Sequence, residues 1–249
     1  NRGAGATNLT GWSLSDDSNP RKFVFPANTQ IAAGGYLLVW CDSATNAPGL
    51  HTGFALSRGG DNLFLYDANT NRMDALTFGL QIADRSMGRI SEVWQLNQPT
   101  PGSNNVAAVL ASVTNLALNE WLANPAAGGD DWLELFNRST TAPVALQGLY
   151  VGTSNALCQM RALSFVAPRG YAQLLADEQP GADHLEFKLT AAGDALRLYS
   201  DAAVLLDQVS YGAQVEAVSQ GRLPDGNTAI TTFSGSVSPG ASNYVLAYF

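Results

Sequence analysis

Gly60-Asp61-Asn62-Leu63-Phe64-Leu65-Tyr66 returns as Gly193-Asp194-Ala195-Leu196-Arg197-Leu198-Tyr199, 133 residues further along the chain. The same offset brings His51 onto His184, Phe54 onto Phe187, Leu56 onto Leu189, Asp74 onto Asp207, Phe78 onto Tyr211, Gly79 onto Gly212 and Gly88-Arg89 onto Gly221-Arg222. Nearby offsets align Tyr36-Leu37-Leu38 with Tyr171-Ala172-Gln173-Leu174, Gly11 with Gly148, and Pro101-Gly102-Ser103-Asn104 with Pro239-Gly240-Ala241-Ser242-Asn243. Matches that keep one order, with small insertions, mark two copies of one unit. The period exceeds the ~20–50 residues of a solenoid repeat, so each copy is expected to be a domain with its own core.

Each copy reads as β-structure. Tyr36-Leu37-Leu38-Val39-Trp40, Leu63-Phe64-Leu65-Tyr66 and Asp74-Ala75-Leu76-Thr77-Phe78 are short runs rich in strand formers, as are Trp132-Leu133-Glu134-Leu135-Phe136 and Ala195-Leu196-Arg197-Leu198-Tyr199. Leu133 and Leu135 flank Glu134, and Leu196 and Leu198 flank Arg197, the alternation of a half-buried strand. Gly34-Gly35, Gly59-Gly60-Asp61, Ala68-Asn69-Thr70-Asn71 and Pro224-Asp225-Gly226-Asn227 supply turn chemistry between the runs. Short strands at this spacing, with no helix-length amphipathic pattern to compete, predict antiparallel sandwiches or barrels. The expected domains are residues 1–105 and 113–249. Residues 106–112 form a linker or, in the reading we favour, a last strand of copy one within Val106-Ala107-Ala108-Val109-Leu110.

Composition narrows the function. Of 249 residues, 13 are Lys or Arg and 21 are Asp or Glu, giving a net charge of −8. A surplus of carboxylates argues against nucleic acid, which needs a basic face, and against anionic lipid. Hydrophobic residues at 46% allow packed cores. No run approaches the ~18 apolar residues of a membrane span. The sequence begins mid-pattern at Asn1 without Met or a signal peptide, as a mature or trimmed form would.

Copy two opens with Leu118-Asn119-Glu120-Trp121-Leu122-Ala123-Asn124-Pro125 and continues with Asp130-Asp131-Trp132-Leu133-Glu134-Leu135-Phe136-Asn137. Copy one carries Leu9-Thr10-Gly11-Trp12-Ser13-Leu14-Ser15-Asp16-Asp17, Pro26 and Ala33-Gly34-Gly35-Tyr36-Leu37-Leu38-Val39-Trp40. With the Gly-Asp-x-Leu-x-Leu-Tyr and Tyr/Phe-Gly blocks of both copies, these motifs resemble the lamin tail domain, as found in nuclear lamins and in bacterial secreted proteins. The resemblance implies two tandem immunoglobulin-like antiparallel β-sandwich domains, an all-β chain. Copy two departs from the pattern at Leu149-Tyr150-Val151-Gly152, where the Trp and the acidic pair are missing, and over residues 155–163.

Asn1-Arg2-Gly3 aligns with Asn137-Arg138-Ser139, so the first domain lacks a counterpart of residues 118–136 and the two strands expected there. A sandwich missing strands exposes unpaired backbone and invites strand addition. At the other end Tyr244-Val245-Leu246-Ala247-Tyr248-Phe249 is apolar and β-prone. It reads either as the last strand of copy two or as a strand given to a neighbouring subunit in a head-to-tail filament, truncation of a longer protein being the other account of the incomplete first domain. The candidate assembly strands are therefore Leu9, Trp12 and Leu14 on one side and Tyr244, Val245, Leu246, Tyr248 and Phe249 on the other.

No residues are assigned to catalysis or cofactor binding: the chain has no Gly-x-Ser-x-Gly, His-Glu-x-x-His or Walker loop. His51 and His184 occupy duplicated positions and read as scaffold. Asp16 with Asp17, and Asp130 with Asp131, are weak calcium candidates without EF-hand spacing. Cys41 and Cys158 fall in different copies and read as buried thiols, a bridge being the alternative. Asn8 and Asn137 open glycosylation sequons. Trp12, Trp40, Trp94, Trp121 and Trp132 could stack on sugars, but motif placement makes core packing the default for Trp12, Trp40 and Trp132. The expectation is a non-enzymatic structural or interaction protein of the extracellular space or cell surface, a filament subunit joined by β-strand complementation to other copies of itself. The alternative is a carbohydrate- or calcium-binding accessory module of a larger secreted protein.

Overall fold

The computed structural model describes residues 1–246. The all-β expectation holds, with mostly antiparallel sheets and, among the described residues, one 3-10 turn at Val113–Asn115. The chain forms two compact units. The first comprises Asn1–Phe78 and Asp84–Ala108, and the second comprises Gly79–Ala83 and Val109–Phe249.

The second unit is a filled sandwich. Its strands are β10 (Leu116–Leu122), β11 (Asp131–Asn137), β12 (Val144–Ala145), β13 (Tyr150–Gly152), β14 (Leu157–Gln159), β15 (Phe165–Val166), β16 (Tyr171–Ala176), β17 (His184–Leu185), β18 (Asp194–Tyr199), β19 (Leu205–Tyr211), β20 (Ser219–Arg222) and β21 (Ile230–Phe233). One sheet has the order β17-β16-β11-β10-β20-β21, and the opposing sheet the order β14-β13-β18-β19. Leu116, Leu118, Trp121, Leu133 and Leu135 meet Val151, Leu196, Leu198, Val209 and Tyr211 in one hydrophobic core. Trp121 and Tyr211 pack with ring centroids 5.8 Å apart. Every residue of β10 and β11 is buried. The expected half-burial of Glu134 is therefore corrected, because residues 236–243 cover the outer face of these two strands and enclose it.

Gly79–Gln81 pack on the same unit beside β15. Phe165 N donates to Leu80 O at 2.9 Å, and Gly79 N donates to Leu163 O at 3.1 Å. A Cβ on Gly79 would fall 2.0 Å from Ser164 Oγ, so only glycine allows this approach.

The first unit repeats part of this plan: β1 (Thr7–Asn8), β2 (Ser13–Ser15), β3 (Phe23–Val24), β4 (Gln30–Ile31), β5 (Asp61–Tyr66), β6 (Arg72–Phe78), β7 (Ser86–Ile90), β8 (Val93–Gln98) and β9 (Val106–Ala107). The β3-β2-β5-β6 sheet is the counterpart of β14-β13-β18-β19, and the paired β1 and β4 are the counterpart of β12 and β15. Among the described residues nothing stands where β10 and β11 stand in the second unit. Tyr36-Leu37-Leu38-Val39-Trp40, the counterpart of β16, is consequently not a strand, which corrects the sequence reading. It keeps only the parallel bridge from Trp40 to His51, as β16 keeps Leu175 to His184. The sequence has strand character there, but the neighbour that would pair with it is missing. Burial is thinner too, carried by Leu9, Phe25, Phe54, Leu76, Phe78 and Leu96.

Trp40 N donates to Leu50 O, away from the vacant side, so by alternation the Leu37 and Val39 N–H groups face the vacancy. Their counterparts Ala172 and Leu174 are paired to β11. In amide hydrogen exchange, Leu37 and Val39 should exchange at least about a hundredfold faster than Ala172 and Leu174. Equal protection at the two pairs would contradict this architecture.

Candidate interaction interface

In the second unit three devices hold β10 and β11. The first is an ion pair. Arg222 Nη2 lies 2.8 and 2.9 Å from the two Asp207 carboxylate oxygens, and the pair grips the backbone N–H and C=O of one residue of β10. Leu118 N donates to Asp207 Oδ2 at 2.9 Å, and Arg222 Nε donates to Leu118 O at 2.6 Å. This grip sits at a bulge, where the β10–β11 register shifts between Leu118 and Glu120.

The second device is a pair of buried carboxyls. Glu120 accepts from Ser219 Oγ at 2.5 Å, and from Ser238 N and Oγ at 3.2 Å each. Glu134 accepts from Asn119 Nδ2 at 3.1 Å and from Gly240 N at 2.6 Å. Burial raises both above the usual carboxylate range, Glu134 to about 8.

The third device is the end of β11. Asn137 Nδ2 donates to Ala142 O, Val166 O and Ala167 O, while Asn137 N donates to Gly170 O at 3.0 Å.

The first unit keeps this frame without the strands. Arg89 Nη1 and Nη2 meet the Asp74 carboxylate at 2.8 and 2.7 Å, an ion pair at the positions of Arg222 and Asp207 but made with both Nη atoms, where Arg222 uses Nη2 alone. The side chains of Arg89 and Asp74 are 33% and 38% exposed, against 6% and 15% for Arg222 and Asp207, because no peptide unit covers them. Asn105 Nδ2 donates to Arg89 O at 2.9 Å, as Asn243 Nδ2 does to Arg222 O at 2.9 Å. The turn from Thr100 to Ser103 matches that from Ser238 to Ala241, each closed by one backbone hydrogen bond. Asn1 repeats Asn137: its amide donates to Gly5 O, Ile31 O and Ala32 O, and its amino group to Gly35 O at 2.8 Å. Between these groups lies a cleft of about 290 Å³ lined by Asn1, Tyr36, Arg89, Asn104 and Asn105.

Leu9, Trp12 and Leu14 do not stand at an open edge. Leu9 is buried, and β2 is flanked by β3 on one side and β5 on the other, so this stretch offers no open edge. Residues 36–40 and β7 flank the position that β10 and β11 take in the second unit. Tyr244, Val245 and Leu246 are exposed and belong to no strand; Tyr248 and Phe249 lie outside the described residues.

Asp16 and Asp17 both pair with Lys22, at 2.5 and 2.9 Å. Asp131 accepts from the buried Leu189 N, and Asp130 is exposed. His51 bonds Asp42 at 2.7 Å and His184 bonds Asp177 at 2.8 Å, a scaffold contact kept in both copies. Cys41 and Cys158 are free and partly buried. The amide of Asn137 is committed to three carbonyls, which corrects its reading as a glycosylation acceptor; Asn8 is exposed. Trp121 and Trp132 are core residues, whereas Trp40 is 51% exposed and overturns the packing expectation.

Sequence reasoning passed over Glu120, Glu134, Ser219 and Ser238. The available signal was a pair of acids set among apolar residues in Leu116–Leu122 and Asp131–Asn137, together with an Asp and a Gly-Arg repeated at one offset.

Residues 1–79 match the Lamin Tail Domain family model, the family that the motifs resemble. No curated protein and no solved structure gives a match.

Glu134 keeps in the fold a proton that the unfolded chain releases near its ordinary value of 4.5. Its contribution is fully present below about pH 4.5 and is lost as pH rises toward about 8. Denaturant unfolding of the second unit should therefore show stability falling from pH 5 to pH 8, by up to ~1.4 kcal/mol per pH unit for one proton. Glu134→Gln, which cannot ionise, should flatten that slope. An unchanged slope in this variant would assign the proton elsewhere.

Proposed function

With a lamin tail domain match in its first unit as the premise, we propose that this chain is a non-enzymatic interaction protein that works by β-strand complementation. The first unit accepts strands from another polypeptide between residues 36–40 and β7. Where the donor is another copy of the chain, the product is a filament or surface assembly. The proposed setting is the cell surface or the extracellular space, which the resemblance to bacterial secreted proteins implies.

One observation carries this reading. The Asp74–Arg89 ion pair, the Asn105 tie and the Asn1 anchor stand at the positions of their counterparts in the second unit, yet among the described residues the strands held there have no counterpart beside them. Unpaired strand edges next to formed side-chain contacts are the geometry of strand addition. The apolar surface left at Tyr36, Leu38 and Trp40 adds a hydrophobic gain when it is covered.

Val39→Pro tests it. The substitution removes one vacancy-facing N–H and leaves the Trp40 N to Leu50 O bond in place. Light scattering and electron microscopy across a concentration series should show assembly of the parent and a loss of about tenfold or more in the variant, with the melting of the second unit unchanged. A parent that stays monomeric at all concentrations excludes self-donation. A variant that assembles like the parent places the contact outside this edge.

A further inference from the structure

We propose that the outer face of the β14-β13-β18 strands in the second unit binds an acidic sugar, a pyranose ring carrying a carboxylate. The ring lies against Tyr150 and Tyr199, and the carboxylate meets Arg197. This site does not depend on the strand-accepting edge proposed for the first unit.

Alternation brings these side chains together. Val151 and Leu198 are fully buried in the core, so Tyr150 and Gly152 of β13 and Arg197 and Tyr199 of β18 lie on the opposite, outward face. Tyr150 stands directly across from Tyr199. Gly152 has Arg197 across from it on one side and Leu157 on the other. Cβ atoms of such pairs are ~4.5–5.5 Å apart, so the two tyrosines stand side by side. With residues 153–157 and Ala203 they line a cleft of about 570 Å³. That volume is in the range of a small-molecule site.

The cleft exists because the two copies differ here. Tyr150 and Gly152 take the places of Ser13 and Ser15, which stand across from Tyr66 and Phe64. In the first unit the longer connection of residues 16–22 closes over these positions. Ser13 Oγ donates to Pro20 O at 2.6 Å and Ser15 Oγ to Asp17 O at 3.1 Å, and both serines are fully buried. In the second unit residues 153–156 turn back at once, with Thr153 N donating to Ala156 O at 2.9 Å. A Cβ on Gly152 would fall 2.6 Å from Ala156 O, so glycine admits this turn. The missing side chain also leaves open floor beside Arg197.

The unengaged groups identify the ligand. The hydroxyls of Tyr150 and Tyr199 have no hydrogen-bond partner among the described residues. Arg197 donates from Nη1 to Thr153 O at 3.2 Å and makes no ion pair among the described residues. Its Nε and Nη2 form the edge that grips a carboxylate side-on. Asp194 is close enough to feel this charge, but its carboxylate accepts from the N–H groups of Ser154 and Ala195 at 3.1 and 2.7 Å. A ligand carboxylate therefore brings the charge that Arg197 lacks opposite it. β13 is paired on both sides, so a peptide cannot add here as a strand, and recognition falls to side chains. An acidic sugar supplies each complement at once. Its C–H face covers the tyrosine rings and Leu157, which is 61% exposed, its hydroxyls meet the two phenols, and its carboxylate meets Arg197.

The test titrates the full chain with disaccharides of galacturonic and glucuronic acid and with the neutral disaccharides of galactose and glucose. Affinity is read by calorimetry, and the site by the amide shifts of Tyr150, Gly152 and Arg197. At least one acidic disaccharide should move these amides and bind at least about tenfold more tightly than its neutral counterpart, a margin that shrinks as salt is raised. Arg197→Gln, which can still donate to Thr153 O, should remove the margin without changing the melting temperature. Tyr150→Ala and Tyr199→Ala should each weaken binding about fivefold or more. Neutral sugars that bind as tightly as acidic ones, or a margin untouched by Arg197→Gln, overturn the carboxylate contact. N-acetyltyrosine binding as tightly as the sugars would make the occupant a peptide end and overturn the sugar. If none of the four disaccharides moves the three amides at millimolar concentration, the site itself falls; that comparison uses the parent chain and needs no variant to fold.

Discussion

A β-strand in the middle of a sheet must have its backbone N–H and C=O groups answered on both sides, and the two halves of this chain show that condition met and unmet. In the second unit β10 and β11 meet it for each other and for their neighbours. With them present, Leu133 and Leu135 face the opposing sheet, and residues 236–243 close over the outer side. Where they are missing, a sequence with equal strand character at Tyr36–Trp40 has no partner to pair with, and its side chains stay exposed. The local preference of a segment to be a strand is a preference for a neighbour.

The ion pairs make the comparison concrete. Arg222 and Asp207 are almost wholly enclosed, and each also bonds the backbone of Leu118. Arg89 and Asp74 hold each other through both Nη atoms while about a third open to solvent, with Trp94 against the guanidinium at 4.5 Å. A solvent-exposed ion pair contributes little to stability, whereas an enclosed one that also pins the backbone of one residue fixes register. The same two residue types thus do different work in the two copies, and the difference lies in what covers them.

The all-β class was legible in sequence, because short runs of strand formers alternate with Gly, Asn and Asp turns through the chain. Alternation in Trp132–Phe136 also located β11, but it misassigned Glu134 to a half-exposed face. Period-2 reasoning identifies which residues share a face and is silent about whether that face is covered by a loop from far along the chain. The open edge was misplaced for a related reason. Leu9–Leu14 has the look of an edge until β3 and β5 are seen on either side of β2, and pairing partners are a property of topology. Asp74 and Arg89 were visible as repeated residues, but nothing in one dimension says that their side chains meet.

The path of the chain through Gly79–Ala83 bears on how the protein can be divided. These residues come before β7 in sequence, yet their hydrogen bonds are to Leu163, Ser164 and Phe165. A recombinant second half begun at Val109 would be cut from Leu80 and would bare the flank of β15, and a first half stopped at Phe78 would forfeit β7 and with it Arg89. A single scission anywhere along the chain therefore strips one unit of backbone that it packs with, because five connecting residues belong to the unit that follows.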